Sequence, residues 1–275
     1  MTAAKAKAAR VAFGIELEVF MPAEHAFEVG SYHHGRQVRS IDYWTARGWT
    51  AERDGSVSGF APAGYVGLEI VSPKLSGESG LTEVVCMLEW LAEIGSVMGP
   101  QCGQHVSVDA RNLTAEQLLS IDRTYVRLEA GMFLFNGPEA GNRWQNVYCR
   151  PLSVTRRTDR YSALNNVPAL SGPADRRRLE FRMWAGTLTT TTTLGYILAS
   201  VGLVTAIASG EDFGEIPTDA YGQFRAVVKH AVLAYRIVKV SPEAGLVEIL
   251  RPVVQAAREA GPGLDQVRGL LMAVA

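Results

Sequence analysis

Glu16 and Glu18 stand two residues apart in the run AFGIELEVF. On an extended strand both carboxylates project from one face, about 6.5 to 7 Å apart, a span that one or two hard cations bridge. Three further apolar runs are interrupted by ionisable residues in the same manner: Glu69 in GLEIV, His105 in GQHVSV, and Glu180 with Arg182 in LEFRM. If these runs lie side by side in one sheet, a single polar face collects carboxylates from three strands together with an imidazole and a guanidinium. Such a face repels itself unless cations neutralise it, because like charges a few ångströms apart disfavour joint ionisation. Oxygen-dominated ligation favours Mg²⁺ or Mn²⁺ over zinc, and such ions typically hold substrate phosphates against the protein. The pattern points to nucleotide chemistry.

The elements that must position these groups are visible in the spacing of apolar residues. Val11, Phe13, Ile15, Leu17 and Val19 alternate with Gly14, Glu16 and Glu18, which predicts a strand with one apolar face. Residues 65–71 form the next predicted strand. Residues 103–109 form another, with Val106 and Val108 inward and His105, Ser107 and Asp109 on the opposite face. In residues 178–184 the alternation sets Leu179, Phe181 and Met183 against Glu180, Arg182 and Trp184. Asp54-Gly55 signals a tight turn, and hence a hairpin joining Trp49-Thr50 to Ser56-Val57. Residues 21–50, with His25, His33, His34, Gly35 and Arg36, lack periodicity and read as a long loop. Helical spacing is clear over residues 79–98, through Leu81, Val84, Leu88 and Leu91. A second helix opens at Thr114, whose capping-box partner is Gln117, and stops at Asn136-Gly137. Residues 194–209, 220–240, 242–259 and 264–274 complete a helical last third. The expected fold class is α+β: a curved, mainly antiparallel sheet with the active site on its polar face, helices on its other face, and a helical C-terminal third.

Composition narrows the functional classes. The 275 residues carry 27 Lys+Arg against 28 Asp+Glu, a formal net charge of −1, so charge drives no nucleic-acid binding. With 47% hydrophobic and 20% charged residues the chain is that of a globular protein. Its longest apolar run, residues 194–209, is shorter than the ~20 residues a bilayer requires, contains Gly195 and Gly202, and reads as a buried helix rather than a membrane segment. Residues 1–10 carry Lys5, Lys7 and Arg10 without an apolar stretch and read as a flexible leader. Cys86, Cys102 and Cys149 form no CxxC pair, and a reducing cytoplasm is expected. His25, His33 and His34 lack zinc-site spacing, and Ser79 in GESGL sits at a helix start rather than in a nucleophile elbow. Between residues 143 and 178 lie Arg143, Arg150, Arg156, Arg157, Arg160, Arg176, Arg177 and Arg178, in loops that can hold phosphate or carboxylate groups; the Arg176-Arg177-Arg178 run reads as surface.

Taken in order, Phe13-Gly14-Ile15-Glu16-Leu17-Glu18, Asp54-Gly55-Ser56, Glu69-Ile70-Val71-Ser72-Pro73, Gly103-Gln104-His105-Val106, Arg160-Tyr161 with Asn165, and Glu180-Phe181-Arg182 with Gly186-Thr187 resemble the amidoligase family. That family belongs to the glutamine synthetase-like and glutamate-cysteine ligase-like carboxylate–amine ligases. The resemblance covers residues 13–187 and implies a single ligase domain over residues 11–275, with the catalytic sheet and helices in 11–190 and a helical portion in 191–275. It implies metal ligation by Glu16, Glu18, Glu69, His105 and Glu180, and a catalytic set of Arg182, Glu180, His105 and Asp54. Nucleotide contacts are expected from Arg150, Arg160, Asn165, Arg182 and Ser56, with Asp54 and Ser56 at the site's mouth. One departure is that Ser107 stands where the family often has a second histidine. The implied reaction uses ATP and Mg²⁺ to convert a small-molecule or peptide carboxylate into an acyl phosphate, which an amine then attacks. Glu129 and Asp54 are candidates to take the amine's proton. A phosphotransferase, or a non-catalytic nucleotide-binding protein on the same fold, is the alternative reading. The apolar helices of the last third fit a core as well as an oligomer interface.

Overall fold

The computed structural model describes residues 11–25, 42–155, 159–211 and 213–238. The expected leader, the His33-His34 loop, Arg156, Arg157 and the helices expected over 242–259 and 264–274 lie outside the described residues. In chain order the principal elements are β1 (Ala12–Pro22), α1 (Asp42–Ala46), β2 (Thr50–Glu52), α2 (Gly55–Ser58), β3 (Tyr65–Val71), β4 (Leu75–Ser76), α3 (Gly77–Glu93), β5 (Gly103–Asp109), α4 (Ala115–Leu134), α5 (Ala140–Trp144), β6 (Leu164–Asn165), α6 (Val167–Leu170), β7 (Arg178–Ala185), α7 (Thr190–Ala208) and α8 (Ala220–Val238).

The strands form one seven-stranded sheet in the order β2-β3-β1-β5-β7-β6, with β4 beside β1, and all these strand pairs are antiparallel. The four strands with interrupted alternation are therefore neighbours at its centre. Phe13, Ile15, Leu17 and Val19 of β1, Val106 and Val108 of β5, and Leu179 and Phe181 of β7 are buried in one core with Leu81, Val84 and Leu88 of α3 and Ile121, Tyr125 and Leu128 of α4. Burying one face of the sheet against helices leaves the glutamate-bearing face open, as the α+β expectation requires. The predicted capping box opens α4: Gln117 N–H donates to Thr114 Oγ1 at 3.2 Å and Thr114 N–H to Gln117 Oε1 at 2.9 Å. By length and composition α7 passes for a membrane span, yet it is mostly buried inside the protein, packed on α3, α4, α8 and β5, and is a core helix. The close approach of α8 depends on two glycines: a Cβ on Gly131 would stand 2.3 Å from Phe224 N, and one on Gly202 2.6 Å from the His230 carbonyl oxygen.

Local geometry departs from the sequence reading in four places. β1 runs on to Pro22 and α1 lies within residues 21–50, which are thus not all loop. The helix expected over 79–98 starts at Gly77 and ends at Glu93, so Ser79, expected at the helix start, lies inside its first turn. Asp54 does not turn a tight hairpin: its Oδ1 accepts the Ser56 N–H at 2.7 Å, capping the single-turn helix α2 before the chain returns as β3. Finally, Trp184 is on the helix side. Gln104 pairs with Trp184 and Val106 with Phe181, so one β5 residue, His105, opposes two β7 residues, Arg182 and Met183. This bulge shifts the alternation by one residue. Trp184 consequently stacks on Tyr196 of α7, with ring centroids 4.6 Å apart, and donates to Ser200 Oγ at 3.2 Å. Arg143 of α5, itself buried, holds both carbonyls of the bulge, through Nη2 to Arg182 O at 2.7 Å and Nε to Met183 O at 3.2 Å.

Candidate active site

Three cross-strand rows build the polar face. In the first, Glu52 of β2 is opposite Glu69 of β3, which is opposite Glu18 of β1. Beyond Glu18, Gly103 donates its backbone N–H to Glu18 Oε2 at 2.5 Å. Space is tight at Gly103, where a Cβ would meet Arg143 Nη2 at 3.0 Å and Glu18 Oε2 at 3.3 Å. In the second row Glu16 is opposite His105. The His105 Nδ1 lies 3.1 Å from Glu16, 3.6 Å from Glu180 and 3.9 Å from Glu69, while its Nε2 lies 3.9 Å from Glu18. In the third, Ser107 is opposite Glu180, which is opposite Asn165. Both Glu180 oxygens are engaged: Asn165 Nδ2 donates to one at 2.6 Å and Arg182 Nη1 to the other at 2.5 Å. Arg182 is steadied in turn by the Tyr148 carbonyl, which accepts from its Nε at 3.2 Å.

Crowding of buried carboxylates drives their protonation apart. Burial raises the Glu69 carboxyl to about 9, helped by the neighbouring charges of Glu16, Glu18 and Asp54 and by a hydrogen bond to Glu16. Burial also acts upward on Glu16, but the His105 hydrogen bond and the charges of His105, Arg178 and Arg182 outweigh it and bring that carboxyl down to about 2. Ligand atoms of Glu16, Glu69 and His105 lie within 4.8 Å of one another, as do those of Glu18, Asp54 and Glu69. Glu69 is common to both groups. Hard oxygen donors with one imidazole, arranged around a carboxyl that a nearby positive charge would help to ionise, fit divalent Mg²⁺ or Mn²⁺.

The cluster opens into a cleft of about 430 Å³ that also reaches Arg160 and Pro168. A cavity of about 340 Å³ adjoins it at Glu16, Val71 and Arg178, carrying Lys74, Arg111, Arg176 and Arg177 against Asp109 and Asp175. A second cavity, of about 380 Å³, adjoins it at Asp54, Arg160 and Arg182.

The profile described as "Putative amidoligase enzyme" matches residues 9–168. The chain belongs to the amidoligase family. Among solved structures this amidoligase-family chain is similar to PafA, the ligase of the prokaryotic ubiquitin-like protein Pup, at 12% identity and a TM-score of 0.50, over 94% of this chain and 65% of that one. It thus spans just under two thirds of the length of PafA. It is also similar to the glutamine synthetase of Plasmodium falciparum, at 10% identity and a TM-score of 0.50, over 96% of this chain and 76% of that one. At these identities the likeness is one of fold. No curated protein sequence matches the chain significantly.

Of the residues singled out in the sequence, Glu16, Glu18, Glu69, His105, Glu180, Arg182 and Asp54 are brought together. Asn165 reaches the cluster by holding Glu180, Arg160 lines the cleft, and Ser56 lines the 380 Å³ cavity. Arg150 is half-exposed, paired with Asp159 at 2.5 Å, and does not line these cavities. Glu129 is buried on α4, where it accepts the backbone N–H groups of Leu152 and Ser153, and it is therefore an anchor for that loop rather than a base at the cleft. The three cysteines are free, with Cys102 and Cys149 buried; burial pushes both of these thiols up, Cys102 to about 11. Glu52 and Arg178 line the cleft and were not anticipated there. Arg178 shares the parity of Glu180 and Arg182 along β7, a signal that alternation carries. Glu52 lies in a strand of three residues, too short for alternation to register.

Proposed function

We propose that this protein is an ATP- and Mg²⁺-dependent carboxylate–amine ligase that forms an amide or peptide-like bond through an acyl phosphate. The observation that carries the reading is the pair of three-residue ligand groups sharing Glu69, set beside the Glu180–Arg182 ion pair. On this reading Glu16, Glu18, Glu69, His105 and Glu180 hold Mg²⁺ or Mn²⁺. When bound, such ions neutralise charge on the phosphoryl oxygens and orient them. The triphosphate enters from the basic cavity, where Lys74, Arg176 and Arg177 supply cations. A carboxylate oxygen of the first substrate bonds to the γ-phosphorus as the bridging oxygen leaves on ADP, and Arg182 opposes the charge that spreads over the transferring group. The amine nitrogen then bonds to the acyl carbon, phosphate leaves with the C–O electron pair, and the nitrogen's proton passes to Asp54. Asn165 and Tyr148 O keep Glu180 and Arg182 in place for these steps. Arg160 and Ser56 contact substrate or nucleotide from the mouth, whereas Arg150 is assigned to its ion pair with Asp159. Small-molecule or peptide substrates and a cytoplasmic location accompany this reading, the latter supported by the unpaired cysteines. The sheet and its helices, α8 included, act as one catalytic domain.

Calorimetric titration with ATP, with and without Mg²⁺, tests the proposal without knowledge of either co-substrate. Wild type should bind ATP only with Mg²⁺, and Glu180→Ala should lose that binding. Absence of binding by wild type at millimolar ATP refutes the ligase reading.

A further inference from the structure

Arg182 is held from several sides, and two of the holds come from one part of the chain. Its Nε donates to the Tyr148 carbonyl at 3.2 Å and its backbone N–H to the Ala163 carbonyl at 2.8 Å, while its own carbonyl is taken by Arg143. Tyr148 and Ala163 belong to two stretches tied into a ribbon. Arg150 N donates to Tyr161 O at 2.8 Å, Ala163 N donates to Arg150 O at 2.7 Å, and the Thr155 and Ser162 hydroxyls lie 2.7 Å apart. Glu129 fastens this ribbon to the helical layer. From α4, one of its carboxylate oxygens accepts the Leu152 N–H at 2.5 Å and the other the Ser153 N–H at 3.1 Å. A side chain in a site is placed only as well as the groups that hold it.

The double grip needs the ionised group. A carboxylate accepts on both oxygens, whereas a carboxylic acid turns one oxygen into a donor and sets it against an N–H. Burial brings the Glu129 carboxyl up to about 7, against hydrogen bonds from Ser153 and Leu152, so both forms are populated near neutrality. Tyr125, on the same helix, lies within electrostatic reach of Glu129 and of Cys149 in the ribbon; burial pushes this phenol and this thiol up, and neither carries charge at neutral pH.

We infer that Glu129 is a positioning residue for Arg182: its ionised carboxylate, gripping Leu152 and Ser153, keeps the Tyr148 and Ala163 carbonyls where they aim the guanidinium at the cleft, and its protonation releases that aim. The inference rests on the ligase reading only for what Arg182 does to a phosphoryl group. The test is a ¹H–¹⁵N NMR titration of the full chain from pH 8.5 to 5.5, with ¹⁵N in the backbone and in arginine Nε; loss of a signal in Arg182→Lys assigns the Arg182 Nε–H. On acidification the Leu152 and Ser153 amide protons should move upfield as they lose an ionised acceptor, and the Arg182 Nε–H should shift with the same midpoint. Glu129→Gln, which offers one acceptor oxygen, should abolish all three inflections. At pH 8 its Arg182 Nε–H should exchange with water about tenfold faster than in wild type, the effect of about one hydrogen bond. Asp159→Asn, which weakens the ribbon's exposed pair with Arg150, should leave that rate within about twofold. Titrating amides beside a stationary Arg182 signal, an Arg182 inflection that persists in Glu129→Gln, or equal acceleration by Asp159→Asn each overturns the inference. If Glu129→Gln does not fold, the wild-type titration decides alone. A shared midpoint in a protein that calorimetry shows to bind no ATP with Mg²⁺ overturns the ligase reading and leaves the positioning role standing.

Discussion

Replacing Arg143 tests how the bulge in β7 is held. Its guanidinium is buried and donates to the carbonyls of Arg182 and Met183, the two residues opposing His105. Each bond from an ionised donor contributes roughly 1.5 to 3 kcal/mol, and a buried carbonyl left without a donor costs about 1 to 3 kcal/mol, a cost that falls on Arg182 O alone because Met183 O keeps a bond from Asn136 Nδ2 at 3.1 Å. Arg143→Met removes both bonds but also recovers the cost of burying the charge, so the net loss is about 3 kcal/mol. That is a large share of the roughly 5 to 15 kcal/mol typical of a folded domain. An ammonium is a single point donor, so Arg143→Lys should keep one of the two bonds and lose about half as much. Urea unfolding at pH 7.5, with midpoint and slope both fitted, reads the difference directly. Stability of Arg143→Met within about 0.5 kcal/mol of wild type would mean that the bulge carbonyls do not depend on this guanidinium, and the account of how the bulge is held would fall with it.

Three further outcomes are expected from the same geometry. Glu69 belongs to both ligand groups, so Glu69→Gln should weaken Mn²⁺ binding, measured by electron paramagnetic resonance, by about a hundredfold, the upper end of what loss of even an outer partner costs; a change under threefold sinks its shared role. Burial raises the Glu129 carboxyl to about 7, against the bonds from Ser153 and Leu152. A raised carboxyl stabilises the fold fully below its unfolded value and progressively less as pH climbs through 7, so wild type should lose about 3 kcal/mol relative to Glu129→Gln between pH 4.5 and 8; parallel stability curves for the two proteins refute this. Gly131→Ala should cost about 2 kcal/mol or more because its Cβ meets the α8 backbone. Gly141→Ala, in α5 with nothing within 4 Å, should be neutral or stabilising in the same thermal melt.

The legible and the hidden parts of this fold divide along one physical line. Alternation of period two survives wherever one face of a strand is buried, so β1, β3, β5 and most of β7 could be placed, and residues of equal parity fell on one face. That parity is why Glu16, Glu18, Glu69, His105 and Glu180 converge. Trp184 broke the rule because a bulge is a backbone event, set by which N–H meets which carbonyl, and no side chain in RLEFRMW announces it. Asp54 misled for a related reason: an aspartate before glycine serves a tight turn or a helix cap with the same short carboxylate, and tertiary packing decides between them. Arg143 was one of several arginines in a loop-rich stretch, and only the packing of a five-residue helix against β7 distinguishes it from its neighbours.

The rigidity of the sheet explains why these carboxylates stay together. On a loop, five acidic groups and an imidazole would spread apart; on β1, β2, β3, β5 and β7 the strand spacing fixes them, and the helices behind the sheet prevent relaxation. Burial and this repulsion together have two outlets: protonation, as at Glu69, or positive charge brought from outside. Within the chain Arg182 supplies part of that charge to Glu180, and Arg143 stands behind Glu18 where Gly103 leaves room. Glu69 stands at the centre of the Glu52–Glu69–Glu18 row, with His105 Nδ1 3.9 Å away. Glu69, raised by burial and by its neighbours' charges, is thus the carboxyl common to both candidate ligand groups, so a divalent cation held there, as the proposed function requires, would offset burial and repulsion together.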